Sequence, residues 1–405
     1  MNFHTRPNVT PHADEALEDL AESLEISEHR YQQAEGRYQS LGEWLNRPES
    51  TIRQYAPQVH VQGSFGLGTV TPPLTESDEY DIDAVCEFRL LTKRETTQKK
   101  LKQLLEVEMR AYARAHSMSN PLEEHRRCWR QRYADEAQFH IDVTPSVLNG
   151  TELAAMLKAR ALDTSLANTG ISITDIEHPF YEIICNDWQR SNPRGFLKWF
   201  LRRMAAPYER RKNKLPGNGI YAGTEEIPDY RIRTPLQQSI MILKRHRDIM
   251  FIDRNDDKPI SIILTTLAAH SYQGEERISD ALFAILSKMD SFIKQAPDGT
   301  FIIENPSDPL ENFADKWKTH PERALAFRQW LTQVREDFAT IAALSNKELI
   351  AGYLAKGLGK GIADKVRARS AKRLSAPNIM TRGLIEDAAA ARQAPANLKG
   401  DRRNA

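Results

Sequence analysis

Two aspartates flanking a single isoleucine, Asp81-Ile82-Asp83, constrain this chain more than any other triplet in it. In an extended strand alternate side chains share a face, so both carboxylates project from one side while Ile82 turns toward a core. Carboxylates that close repel one another unless a cation lies between them. Mg²⁺ suits such a pair, because it takes hard oxygen ligands from one or two carboxylates and completes its octahedron with water and phosphate oxygens. Seventeen residues before Asp81 stands a Gly63-Ser64 turn, within Gln62-Gly63-Ser64-Phe65. Its unhindered backbone N–H groups and its hydroxyl fit a triphosphate.

A third carboxylate is expected on a neighbouring strand. The run Phe139-His140-Ile141-Asp142-Val143-Thr144-Pro145 alternates apolar and polar, with Asp142 on the polar side of Ile141 and Val143. Three carboxylates can hold two metals, one activating an attacking hydroxyl and one gripping a triphosphate. Asp81, Asp83 and Asp142 are therefore the candidate catalytic and metal-ligating residues.

Gly-Ser, then Asp-x-Asp, then a lone strand Asp resembles the DNA polymerase β-like nucleotidyltransferase superfamily. The fuller pattern Gln62-Gly63-Ser64-Phe65, Tyr80-Asp81-Ile82-Asp83 and His140-Ile141-Asp142-Val143 resembles the bacterial cGAS/DncV-like branch across roughly residues 50 to 340. That resemblance implies an α+β fold: a polymerase β-like core with a mixed sheet, a helical C-terminal domain, and an active site in the cleft between them. The expected division is 1–215 for the core with a long N-terminal helix, 216–387 for the helical domain and 388–405 for a flexible tail. The resemblance also implies synthesis of a cyclic oligonucleotide second messenger from ATP and GTP, with Mg²⁺ or Mn²⁺, in anti-phage signalling. The product would activate an effector protein.

Composition narrows the partners. Lys and Arg total 56 against 55 Asp and Glu in 405 residues, so no global field draws the chain onto nucleic acid or membrane. With no apolar run of membrane-spanning length and no signal-peptide pattern, a cytoplasmic monomer is expected. Cys86, Cys128 and Cys185 are too scattered for a zinc site. The zinc-bearing insertion of the animal DNA sensor in this superfamily is thus excluded, and zinc-dependent DNA sensing with it.

Along the chain, Leu17, Leu20, Leu24, Tyr31, Ala34, Tyr38, Leu41 and Leu45 mark one face of a long helix from about Asp14 to Leu45. Packing along the chain's own core satisfies that face, as would a coiled-coil partner. Residues 96–116 and 151–160 read as helices and 161–177 as a surface loop. A basic run from Arg190 to Lys214 reads either as a positive wall beside a triphosphate or as a solvated helix face. Pro216 to Gly223 reads as a loop joining the halves.

Thr234-Pro235 opens a helix carrying Lys244, and a second begins near Pro259 with Ser261 in its first turn. The resemblance places triphosphate contacts on Lys244 and Ser261, beside Gln62, Gly63 and Ser64; a surface charge and a helix-start residue are the ordinary alternatives. His270 reads as structural. Residues 304–313 resemble the Asn-Pro then Glu-Asn segment of the family, and 321–343 form a helix. From residue 351 twelve basic residues face four acidic ones among many Ala and Gly, a composition expected to bury little. A tail ending at Ala405 is compatible with conjugation by a ubiquitin-like transfer enzyme. Nucleotide transfer to RNA or protein, and a non-catalytic nucleotide-binding scaffold, remain the competing functions.

Overall fold

The computed structural model describes residues 7–75, 79–133, 139–213 and 232–375. In chain order the elements are α1 (Pro11–Ser23), α2 (Glu28–Asn46), β1 (Pro57–Val61), α3 (Gly63–Gly66), β2 (Tyr80–Phe88) and α4 (Gln98–Ala115). Next come β3 (Glu123–Glu124), β4 (Trp129–Arg132), β5 (Phe139–Leu148), α5 (Gly150–Lys158), β6 (Ile171–Ile173), β7 (Gln189–Ser191) and α6 (Pro193–Lys212). The remainder is α7 (Pro235–Met250), α8 (Ser261–Ser271), α9 (Ile278–Lys288), β8 (Lys294–Gln295), β9 (Phe301–Ile302), β10 (Glu304–Asn305), β11 (Asp308–Asn312), α10 (Pro321–Ala343), α11 (Lys347–Leu358) and α12 (Lys360–Ser375). This is the α+β architecture expected, with a mixed sheet followed by a helical half.

The sheet runs β1-β2-β5-β4-β3, with β6 and β7 continuing from the far half of β5. Among the described strands of this sheet, β2 and β5 alone pair in parallel. Along β2, Ile82, Ala84, Cys86 and Phe88 enter the core, where Tyr31, Tyr38 and Leu41 of α2 and Leu101, Leu105 and Tyr112 of α4 cover them. The alternate face carries Asp81, Asp83 and a buried Glu87. A second core unites α1 and α6 with α7 to α12.

The N-terminal helix is two helices. Thr10 caps α1, and Ser27 accepts from the Arg30 N–H to start α2 afresh. The break redirects the chain: α1 packs into the helical core and α2 onto the sheet. The segment 161–177 holds the short strand β6, whose three residues are too few for periodicity to reveal. The basic run staples helices together. Arg203 donates to the Ala269 and Tyr272 carbonyls at 2.8 and 2.6 Å, and Arg210 pairs with Glu276 at 2.7 Å. Lys214, the 216–223 loop and the tail from 388 lie outside the described residues.

Residues beyond 351 bury more than their composition suggests. Leu354, Leu358, Ile362 and Val366 recur every fourth residue and face the second core. Arg373 reaches Asp19 at 2.6 Å, and Arg369 pairs with Glu22, clasping α12 to α1.

Glu108 of α4 fixes the sheet-side helices. Almost fully buried, it accepts from Arg47 at 2.7 Å and from the Thr51 N–H and hydroxyl, each at 2.7 Å. Burial alone would raise its pKa, but these bonds hold the carboxyl below its ordinary value. Replacing Glu108 by Ala leaves the Thr51 donors and the Arg47 charge unmatched. The expected loss is roughly 3 kcal/mol in chemical denaturation. A loss within experimental error would show that water replaces the carboxylate.

Candidate active site

The parallel register brings the three aspartates together. Asp83 pairs with Asp142 and Asp81 with His140 across β2 and β5, so all four residues share one face of adjacent strands. Ligand atoms of Asp81, His140 and Asp142 lie within 4.8 Å of one another. Asp83 sits beside them. Burial, then the charges of Asp81 and Asp142, push its carboxyl up to about 7.

Two neighbours went unassigned in the sequence. The His140 ring stands between carboxylates, with Nδ1 2.9 Å from Glu79 and Nε2 3.0 Å from Asp81. Burial would lower its pKa, yet the bond to Asp81 and that residue's charge raise it. Arg130 of β4 grips both oxygens of Asp142, at 2.7 and 2.6 Å. Each Asp142 oxygen keeps a second lone pair for another ligand. The signal for His140 was its two-residue spacing from Asp142; Arg130 is brought in only by the antiparallel register of β4, which places it opposite Asp142.

Gly63 approaches from α3. Its φ is +60°, and a Cβ there would lie 2.2 Å from Asp83 Oδ2, so only glycine admits the turn against the carboxylate. The Gln62 N–H donates to the Asp83 carbonyl at 2.8 Å, tying the turn to β2. Nothing among the described residues hydrogen-bonds the Ser64 hydroxyl, whose backbone carbonyl accepts from Thr69 N–H at 2.8 Å. Phe65 is buried against Tyr31 with ring centroids 4.7 Å apart, anchoring the turn in the sheet-side core.

The helical half closes the other side. Thr234 and Gln237 form a reciprocal cap on α7, and the Gln237 amide donates to the Leu67 carbonyl at 2.9 Å. Lys244 is buried and donates to the Thr69 carbonyl at 2.9 Å, while Arg245 binds the Pro72 carbonyl. Burial, reinforced by Arg247, lowers the Lys244 ammonium to about 8, and the charges of Asp83 and Asp81 act on it in the opposite sense. Ser261 opens α8 but accepts 2.9 Å from Arg247, and it is exposed. Lys244 thus adjoins the aspartates, whereas the Ser261 hydroxyl is already engaged. His270 packs against Trp199 and Phe292.

Between the halves lies a cleft of about 270 Å³. Gln62, Gly63 and Asp83 line it from the sheet side; Asn192, Phe196, Ile262, Asn305, Glu311 and Phe313 line it from the other.

Comparison with known proteins agrees with this geometry. Residues 57–145, from β1 through Pro145 of β5, match the family described as "Cyclic GMP-AMP synthase DncV-like, nucleotidyltransferase domain". A c-di-GMP synthase of Roseivirga ehrenbergii is 27% identical over 401 residues, spanning 96% of this chain and 97% of the relative. The cyclic dinucleotide synthase CdnG of Bradyrhizobium diazoefficiens is 23% identical over 320 residues, 75% of this chain and 70% of CdnG. Among solved structures, the same CdnG in complex with GTP matches the fold with a TM-score of 0.66 at 20% identity, covering 88% of this chain and 99% of that one. A mutant of the Vibrio cholerae di-nucleotide cyclase DncV, bound to ATP, GTP and 5MTHFGLU2, matches with a TM-score of 0.52 at 14% identity, covering 87% and 89%. Residues 57–145 thus match a DncV-like nucleotidyltransferase domain, and the chain as a whole is similar to cyclic dinucleotide synthases of that kind.

Proposed function

We propose that this protein joins two nucleoside triphosphates, at least one of them GTP, into a cyclic dinucleotide with release of pyrophosphate. The observation that carries the reading is the alignment of Asp81, Asp83 and Asp142 on one face of two parallel strands, with the Gly63 turn against Asp83. The names of the relatives support a dinucleotide product, and guanine is common to the c-di-GMP of one relative, the GTP bound in CdnG and the cyclic GMP-AMP of the matched family description. A role in anti-phage signalling through a product-activated effector, in the cytoplasm, accords with the family.

The residues fit a divalent cation. Three hard carboxylate donors crowd so closely that Asp83 resists ionisation, the repulsion a cation relieves, and the absent Cβ of Gly63 leaves room at Asp83 Oδ2. Asp81, Asp83 and Asp142 would hold Mg²⁺, with Mn²⁺ as a substitute. When bound, the cation neutralises phosphate charge and eases loss of the proton from the attacking hydroxyl.

The chain does the positioning. Backbone N–H groups and the hydroxyl at Gly63-Ser64 receive phosphate oxygens, with Gln62 beside them, and Lys244 supplies positive charge from the opposite wall. Ser261 reaches a phosphate only by sharing its hydroxyl with Arg247. His140 holds Asp81 in place. A ribose hydroxyl oxygen bonds to the α-phosphorus, the bond to the pyrophosphate oxygen breaks, and the hydroxyl proton leaves to solvent. A second attack of the same kind closes the ring. Positioning and charge carry most of this catalysis.

Incubation with each α-labelled NTP, singly and in pairs, followed by phosphatase and chromatography, tests the reading. A phosphatase-resistant product that requires GTP is expected. Label appearing only on added RNA or protein would replace the synthase with a transferase, and no labelled product under any pairing would overturn the enzyme reading.

A further inference from the structure

One carboxylate in the cleft serves neither the cation nor the phosphates. Glu311 of β11 is half-buried and lines the cleft with Asn305 of β10. The Ser307 N–H donates to Asn305 Oδ1 at 2.9 Å, which turns the other end of that amide outward, and Asn305 Nδ2 donates to Glu311 Oε2 at 2.7 Å. The turn is braced in its place by Asn192, whose Nδ2 donates to the Ser307 carbonyl at 3.0 Å. Among the described residues nothing donates to Glu311 Oε1. Burial, with Asp308 nearby, holds the carboxyl above its ordinary value, as expected of a group waiting for a donor. The same cleft has an apolar wall suited to a flat ring: Phe196 and Phe313 meet edge to face at 6.1 Å, with Leu197 and Ile262 beside them.

We propose that Glu311 selects guanine in this cleft, an inference that rests on the nucleotide-joining function proposed above. Guanine presents two donors side by side, N1–H and the N2 amine. Oε1 accepts the first, and Oε2, which keeps a lone pair beside Asn305, accepts the second. Adenine presents its N1 lone pair at the same place, against a carboxylate, and is rejected by repulsion and by the unmatched acceptor. Asn305 is a positioning residue: it fixes which oxygen is free.

The test compares kcat/KM for GTP, ITP and ATP on the full-length protein, together with the Glu311→Gln variant. ITP lacks only the N2 amine, so wild type should favour GTP over ITP by at least about tenfold. In the Gln variant the side-chain carbonyl turns to Asn305 and its NH₂ faces the base, which matches adenine N1 and opposes guanine N1–H. The GTP to ATP preference should fall by at least about tenfold, a change that a merely structural role would not produce. Should the variant fold poorly, the ITP comparison on wild type decides alone. Equal use of GTP and ITP with cyclic product still formed removes Glu311 from base selection and leaves the synthase intact. Absence of product from every nucleotide overturns the underlying function, and this assignment with it.

Discussion

A protein carrying Asp81→Asn and Asp83→Asn together is expected to fold normally and to lose cyclic product by at least about a thousandfold, equivalent to about 4 kcal/mol of transition-state stabilisation. The loss follows from chemistry that asparagine cannot supply, since a neutral amide keeps the shape of the side chain but neither the charge nor the paired oxygen donors. The fold should tolerate the change because the two charges oppose it. Asp83 is pressed by Asp81 and Asp142 on a buried strand face, so neutralising the pair removes repulsion, and the melting temperature should hold or rise. Arg130 keeps Asp142 satisfied in the variant. Substantial residual turnover would show that the chemistry lies elsewhere. A collapse of the melting temperature would instead show that the pair is structural.

Gly63→Ala should act on the same site from the opposite side. The alanine would need a left-handed backbone, costing roughly 1–3 kcal/mol, and its methyl would stand inside van der Waals contact with the Asp83 carboxylate. Asp83 cannot retreat, for it is held between β1 and β5 with its own carbonyl bound by Gln62. Displacing the turn by even an ångström should lower product formation by about a hundredfold. Gly36 supplies the control: it lies within α2 with none of the described residues outside its own helix within 4 Å of its missing Cβ, so Gly36→Ala should keep activity and add about 0.5–1 kcal/mol of stability. Wild-type turnover in Gly63→Ala would mean that the turn moves away in the working enzyme.

The carboxylates were legible because their spacing matches the two-residue period of a strand, and a strand has only two faces. Arg130 was not, because it comes to Asp142 through the pairing of β4 with β5, and register across strands leaves no local trace in a single sequence. The break between α1 and α2 did leave a trace, in Ser27 as a cap and in the missing apolar residue at 27 or 28, but the rhythm resumes in phase at Tyr31 and that continuity outweighed it. In the last helices the error ran the other way. Averaged composition over 351–405 concealed an apolar residue at every fourth position from Ile350 to Val366. Glu311 stands in the Glu-Asn part of the family-like segment 304–313, but no role could be read for it there; only the cleft around it supplies one.

The clasp of α12 on α1 bears on how the chain is made. Leu17, Leu20 and Leu24 leave the ribosome early, yet the helices that shelter them finish only with α12. At ordinary elongation rates roughly 20–70 s separate the two events. During that interval the sheet-side core can assemble around β1, β2 and β5, while α1 waits with an oily stripe exposed. Chains halted before residue 347 should therefore be held by chaperones or aggregate through α1, and the nascent protein should acquire its cleft last, when both halves are in place.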